Sequence, residues 1–197
     1  MKKALFLDRD GVINKVIKKY NRFYGKFIDD SPFNISELKF NDGIKELAEF
    51  AKKKDYLIII VTNQPSLAYG NMSILDYEAL TTKICNYLEL KRSQIFECFH
   101  KEGITLECEC RKPKSGLFLM AKGVFDIDVA NSVMIGDTYT DVLAAREAGV
   151  KKTFFLKREK SRIEEGNRDS EEKMNELNIH PSFTIKNLKE IIEKELI

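Results

Sequence analysis

Short apolar runs bounded by charge or small polar groups recur along this chain of 197 residues, at Ala4–Leu7, Tyr56–Thr62, Ser132–Ile135 and Thr153–Leu156. Runs of this kind read as strands buried on both faces. Between them apolar positions recur at helical spacing over Gly43–Lys53, Ile74–Leu88, Gly116–Gly123 and Asp141–Ala148. A closing FTIKNLKEIIEKEL predicts a short strand, Phe183–Ile185, followed by a terminal helix. Strand and helix in alternation predict a parallel sheet covered on both sides, a doubly wound, Rossmann-like α/β fold. Three stretches break the rhythm. Residues 14–41 are a basic, Tyr/Phe-rich excursion, residues 98–112 are dense in cysteine, and residues 157–177 are a charge-rich, partly helical surface segment of no evident chemistry. The expectation is one domain spanning 1–197.

Composition changes this picture little. Apolar content of 43% and charged content of 32% describe an ordinary globular chain. A net charge of +2, from 33 basic and 31 acidic residues, gives no global field calling for nucleic acid. No segment approaches the ~18 apolar residues that span a bilayer, so no membrane partner is expected. The opening MKKALFLDRD resembles a secretory signal only briefly, because Asp8 follows an apolar stretch of four residues. A cytoplasmic location is expected, and there four cysteines point to metal or reactive thiols before disulfides.

The candidate chemistry sits at predicted strand ends, where open α/β sheets bind ligands. The first strand ends in Asp8 and Asp10, side chains that project to one side and can hold a nucleophile and a hard cation such as Mg²⁺. Gly11 then lets the chain turn sharply. Alone, the D-x-D-G string reads first as a solvated acidic turn, since such turns after strands are common. The second strand ends in Thr62-Asn63, small donors for a phosphate oxygen or simple turn caps. In CRKPKSG, Lys112 precedes Pro113 and a helix that begins near Ser115. A fixed lysine beside a helix N-terminus makes a phosphate-binding corner; a solvated basic turn is the alternative. A further strand ends in Gly136-Asp137, and Asp141 follows. Asp137 can add a third carboxylate to the cation, while Asp141 either joins it or caps its helix.

Cys98, His100, Cys108 and Cys110 form a C-x-H…C-x-C set. Three thiolates and one imidazole would complete a closed tetrahedral, structural Zn²⁺ site that clamps Arg111-Lys112. Buried thiols beside an incidental histidine are the alternative. Cys85 belongs to a helix core, and His180 has no assigned role.

In that order, DRDG, VTN, RKP and GDTYTD resemble the haloacid dehalogenase-like (HAD) phosphohydrolases over residues 4–150. The resemblance implies a HAD fold with a minimal cap. It implies that Asp8 is the nucleophile forming an aspartyl-phosphate and Asp10 the general acid, then base. It implies that Thr62 and Lys112 stabilise the transferring phosphoryl group. Mg²⁺ would be held by Asp8, the backbone carbonyl of Asp10, and Asp137. Asn63, Gln64, Arg111 and Arg22 are expected to meet substrate.

The zinc loop and TNQPSLAYG narrow the resemblance to the D,D-heptose 1,7-bisphosphate phosphatases, with the histidinol-phosphatases as the alternative. A small sugar phosphate is then the expected partner and a monomer the expected state. Tyr69 stands where the heptose group has Arg, and Thr138 where a basic residue is usual. The seven residues between His100 and Cys108 are nearer the histidinol type. Residues 14–41 could form a cap in which Lys18, Lys19, Arg22 and Lys26 replace the missing cations and Tyr20, Phe23 and Tyr24 shape the pocket. A surface flap whose aromatics cover core is the other reading. A non-catalytic zinc module retaining the fold is the reading from outside enzymology.

Overall fold

The computed structural model describes residues 1–21, 26–101, 108–158 and 166–197. Six parallel strands form one sheet in the order β5-β4-β1-β6-β7-β8. These are β1 (Lys3–Leu7), β4 (Tyr56–Asn63), β5 (Ile95–Cys98), β6 (Val133–Gly136), β7 (Lys152–Leu156) and β8 (Phe183–Ile185). A separate antiparallel hairpin, β2 (Ile17–Asn21) and β3 (Lys26–Asp30), lies within the 14–41 excursion. The helices are α1 (Ile44–Lys53), α2 (Ile74–Leu88), α3 (Gly116–Phe125), α4 (Tyr139–Glu147), α5 (Gly166–Glu176) and α6 (Lys189–Glu193).

Period-two alternation feeds two cores. Leu5, Leu7, Ile58, Ile60 and Ile135 pack with Ile44 and Leu47 of α1, Ile84 and Leu88 of α2, and Ile191 of α6. Ala4, Phe6, Ile59, Val61 and Met134 face the other side, against Leu117, Phe118 and Ala121 of α3 and Ala144 and Ala145 of α4. Phe6 and Phe118 meet there with ring centroids 4.8 Å apart. The doubly wound expectation therefore holds. None of the helices among the described residues is long and apolar enough to cross a membrane.

From β1 the chain winds outward through β4 to β5, then returns to the other side of β1 and continues through β6, β7 and β8. The order reverses beside β1, so the C-terminal ends of β1, β4 and β6 open onto one crevice.

The sequence reading requires three corrections in the elements. Strand β5 was not expected: in IFEC, Glu97 interrupts the apolar run, which leads straight into the cysteine-dense stretch. The 14–41 excursion pairs as a hairpin, which its mixed polar and aromatic order conceals. Helix α4 begins at Tyr139, ahead of the expected Asp141, because Thr138 and Asp141 cap it reciprocally.

Candidate active site

Asp8 follows β1 directly, and its N–H donates to Ile135 O at 3.1 Å, which ties it to β6. Asp137 ends β6, and Asp141 lies in the first turn of α4. All three carboxylates are buried, and one oxygen from each lies within 4.8 Å of the others. Gly136 permits this approach, since a Cβ there would come 2.1 Å from Asp141 Cβ.

Into this acidic cluster runs Lys112. Its ammonium donates to Asp8 Oδ1 at 2.8 Å, to Asp141 Oδ1 at 2.5 Å and to Val61 O at 2.9 Å. All three ammonium donors are thus used. Burial works against its charge, but Asp141 and Asp8 overrule burial and hold the ammonium above the ordinary lysine range. Asn63 brackets the Lys112 backbone, accepting its N–H at 3.0 Å and donating to its carbonyl at 3.0 Å. Asp141 Oδ2 accepts from Thr138 N at 3.0 Å and from Thr138 Oγ1 at 2.7 Å. Asp141 is therefore a helix cap, one of the two roles the sequence left open, and also the counter-ion of Lys112, a role the sequence did not suggest.

Burial lifts the Asp8 carboxyl to about 7, with Lys112 pulling against it. Asp137 is raised well above the usual carboxylate range, again by burial, with Arg158 opposing. Crowded acids held this way need a cation. Hard oxygen donors at this spacing suit Mg²⁺, so the residues present fit that ion.

Arg158, at the start of the 157–177 segment, is a neighbour of the acidic cluster that sequence reasoning did not place there. Its Nε lies 3.0 Å from Asp137 Oδ2. Within LKREK it looks like one more solvated charge, and only the adjacency of β7 to β6 brings it to the cluster.

Asp10 turns away from the three carboxylates. Its oxygens accept from Asn14 Nδ2 at 2.9 Å and Gln64 Nε2 at 2.6 Å, and Arg9 Nη2 lies 3.0 Å away. The cation expectation for Asp10 concerned its backbone carbonyl; the side chain is not part of the acidic cluster, which Asp141 completes instead. Gln64 also donates to Thr62 Oγ1 at 2.9 Å, so buried Thr62 and Gln64 and half-buried Asp10 form one network.

The second cluster comprises Cys98, His100, Cys108 and Cys110, whose ligand atoms lie within 4.8 Å of one another. Cys98 Sγ is 3.8 Å from Cys108 Sγ, and His100 Nδ1 lies 3.4 Å from Cys98 Sγ and 3.2 Å from Cys110 Sγ. A tetrahedron with ~2.3 Å metal–sulfur bonds has edges of about 3.8 Å, so these atoms fit a closed metal site. Burial and the adjoining sulfurs push the Cys110 thiol up to about 12, which a bound cation would reverse. Arg111 donates to His100 O at 3.3 Å, fastening the Lys112 turn to this loop. Lys101 lies 5.3 Å from the ring centroid of Tyr69. Arg22, Phe23 and Tyr24 lie outside the described residues.

Residues 18–149 match the family described as haloacid dehalogenase-like hydrolase, and residues 109–191 match a HAD-hydrolase-like family. The chain is 39% identical over 165 residues to D-glycero-alpha-D-manno-heptose-1,7-bisphosphate 7-phosphatase of Campylobacter jejuni, covering 80% of this chain and 84% of that protein. It is 36% identical over 173 residues to the beta-anomer enzyme of Vibrio cholerae, covering 84% and 87%. A crystal structure of D,D-heptose 1,7-bisphosphate phosphatase from B. bronchiseptica, complexed with magnesium and phosphate, has a TM-score of 0.73 at 23% identity over 98% of each chain. That last likeness concerns the fold.

Proposed function

Given that this chain belongs to the haloacid dehalogenase-like hydrolase family, we propose that it is a phosphatase of a small sugar phosphate, D-glycero-D-manno-heptose 1,7-bisphosphate, cleaving the 7-phosphate through an aspartyl-phosphate on Asp8. The observation that carries the chemistry is the buried Lys112 ammonium 2.8 Å from Asp8 Oδ1, inside a cluster of three carboxylates. The names of the similar proteins supply the substrate.

The ester's phosphorus is attacked by an Asp8 oxygen in line with the leaving oxygen. Lys112 steadies the nucleophile before attack and the phosphoryl oxygens during transfer. Asp10 gives its proton to the leaving alkoxide, then takes one from the water that cleaves the aspartyl-phosphate. Thr62, near the end of β4, would add a hydroxyl donor to the transferred group. Asp8, Asp137 and the Asp10 carbonyl would hold Mg²⁺, with Asp141 beside them. Magnesium supplies positive charge that offsets carboxylate–phosphate repulsion. Asn63 acts by fixing the Lys112 backbone. Cys98, His100, Cys108 and Cys110 would hold Zn²⁺ as a structural metal, which would stiffen the turn that delivers Lys112.

The test is a side-by-side kinetic screen of heptose bisphosphate, histidinol phosphate and simple aryl phosphates with magnesium. Heptose bisphosphate is expected to have the highest kcat/KM, and Asp8→Asn to abolish turnover of all three. A preference for histidinol phosphate would overturn the substrate. Undiminished turnover by Asp8→Asn would overturn the mechanism.

A further inference from the structure

The residue between the two carboxylates of DRDG points into the protein. Arg9 is 3% exposed. Its Nη2 lies 2.5 Å from Gln64 Oε1 and 3.0 Å from Asp10 Oδ2. Its Nε reaches both oxygens of the same carboxylate, at 3.3 and 3.2 Å. Gln64 donates to Asp10 Oδ2, and Asn14 donates to Asp10 Oδ1. The guanidinium carbon stands 5.6 Å from the ring centroid of Tyr77. The Tyr77 hydroxyl donates to Glu97, which also accepts from Arg92 at 2.9 Å.

Burying a guanidinium is costly, and a buried ion pair is a poor source of stability compared with apolar packing. Orientation is what such a pair supplies, because the planar fork and a carboxylate fix one another's plane. Here the fork is itself braced: Tyr77 lies against the guanidinium and Gln64 accepts from it. Among the described residues Arg9 Nη1 is buried without a hydrogen-bond partner. The structural contacts therefore leave this cation incompletely satisfied, a cost that packing alone does not explain.

We propose that Arg9 and Gln64 are positioning residues that aim the Asp10 carboxyl at the leaving-group oxygen. This rests on the reading of Asp10 as the proton donor. In the first half-reaction a bond forms between Asp8 oxygen and phosphorus, and the ester P–O bond breaks. The electron pair passes to the ester oxygen, which takes the Asp10 proton. An alkoxide leaving group needs that proton, whereas 4-nitrophenolate leaves without it. Misaiming Asp10 therefore slows alkyl esters selectively, which a general loosening of the fold does not.

The experiment measures kcat/KM for Arg9→Met and Gln64→Met with 4-nitrophenyl phosphate and with the alkyl phosphate that the wild type turns over fastest. kcat/KM reports only steps through phosphorylation of Asp8. Alkyl ester turnover is expected to fall ~10–100-fold, part of the full worth of a general acid, and aryl ester turnover less than ~3-fold. Arg9→Lys, with the charge but not the fork, should fall between Arg9→Met and wild type on the alkyl ester. Equal losses on both esters, in variants with wild-type melting temperature, would overturn the proposal. If Arg9→Met does not fold, Gln64→Met carries the same comparison. Asp10→Asn, run alongside, separates the two levels. Equal loss on both esters there removes the acid assignment and the proposal with it. Selective loss there, without selectivity in the Arg9 and Gln64 variants, removes only the positioning role.

Discussion

A missing methyl group at Gly11 makes room for Asp137. Gly11 has φ +95°, and a Cβ on it would lie 2.0 Å from Asp137 Oδ2. Gly11→Ala should therefore cost about 1–3 kcal/mol of backbone strain and, by displacing a ligand carboxylate, raise the Mg²⁺ needed for half-maximal activity ~10-fold or more. Denaturant melts and a magnesium titration check the two effects separately. The cluster also carries a pH signature. In the metal-free chain Asp8 titrates at about 7 against 3.8 for an ordinary aspartate. The folded state therefore holds a proton that the unfolded chain has released, so this contribution to stability is present below about pH 4 and is lost as pH rises through about 7. Magnesium competes with that proton. The gain in melting temperature on adding Mg²⁺ is expected to grow between about pH 5.5 and pH 7.5; a gain independent of pH would contradict it. At this scale the sequence was readable where spacing carries the chemistry. Asp8, Asp10, Lys112, Asp137 and the four Cys/His ligands all stand out. Arg158 did not, since its partner Asp137 belongs to another strand, nor did the bond of Asn63 to the Lys112 backbone, because a strand-end amide does not reveal which backbone it will bracket.

Helix α4 shows how an element carries a site. Thr138 and Asp141 close its first turn reciprocally, and the oxygen of Asp141 not spent on the cap grips Lys112. The two residues should separate cleanly. Thr138→Ala removes one cap bond, costing about 1 kcal/mol, while kcat stays within ~3-fold because Lys112 keeps its partners. Asp141→Ala leaves a buried ammonium short of a counter-ion, at about 3–5 kcal/mol, and kcat/KM should fall at least ~100-fold. Urea unfolding and steady-state kinetics on the pair measure both. Equal kinetic losses would mean that the cap, not the ion pair, is what matters. The long apolar strands and amphipathic helices of the sheet were legible because periodicity reports burial. Strand β5 was not, because Glu97 interrupts its apolar run and its neighbour β4 supplies the pairing. The β2–β3 hairpin pairs only with itself, so no strand of the main sheet imposes a pattern on it.

Across the whole molecule, the acidic cluster sits at the centre of the sheet and the Cys/His cluster at the end of its edge strand β5. The two metals proposed for these clusters have two consequences. Withdrawing magnesium alone should stop turnover reversibly and leave the fold unchanged by circular dichroism. Removing the Cys/His-bound metal, or Cys110→Ser, should lower stability by ~3 kcal/mol or more, roughly 6–12 °C in melting temperature for a chain of this size. Elemental analysis of freshly purified protein that finds no zinc would refute that assignment. The parallel sense of the sheet could be argued from alternation alone, but not the reversal of strand order beside β1, because topology depends on which strand pairs with which.

One backbone contact joins these regions. Gln64 N–H donates to the carbonyl of Cys98 at 2.7 Å, while the Gln64 amide holds Asp10. A residue of the Cys/His cluster and the carboxyl proposed as proton donor thus share a single hinge-pin. Starving the chain of the metal proposed there should blunt protonation of departing alcohols before it unravels the sheet.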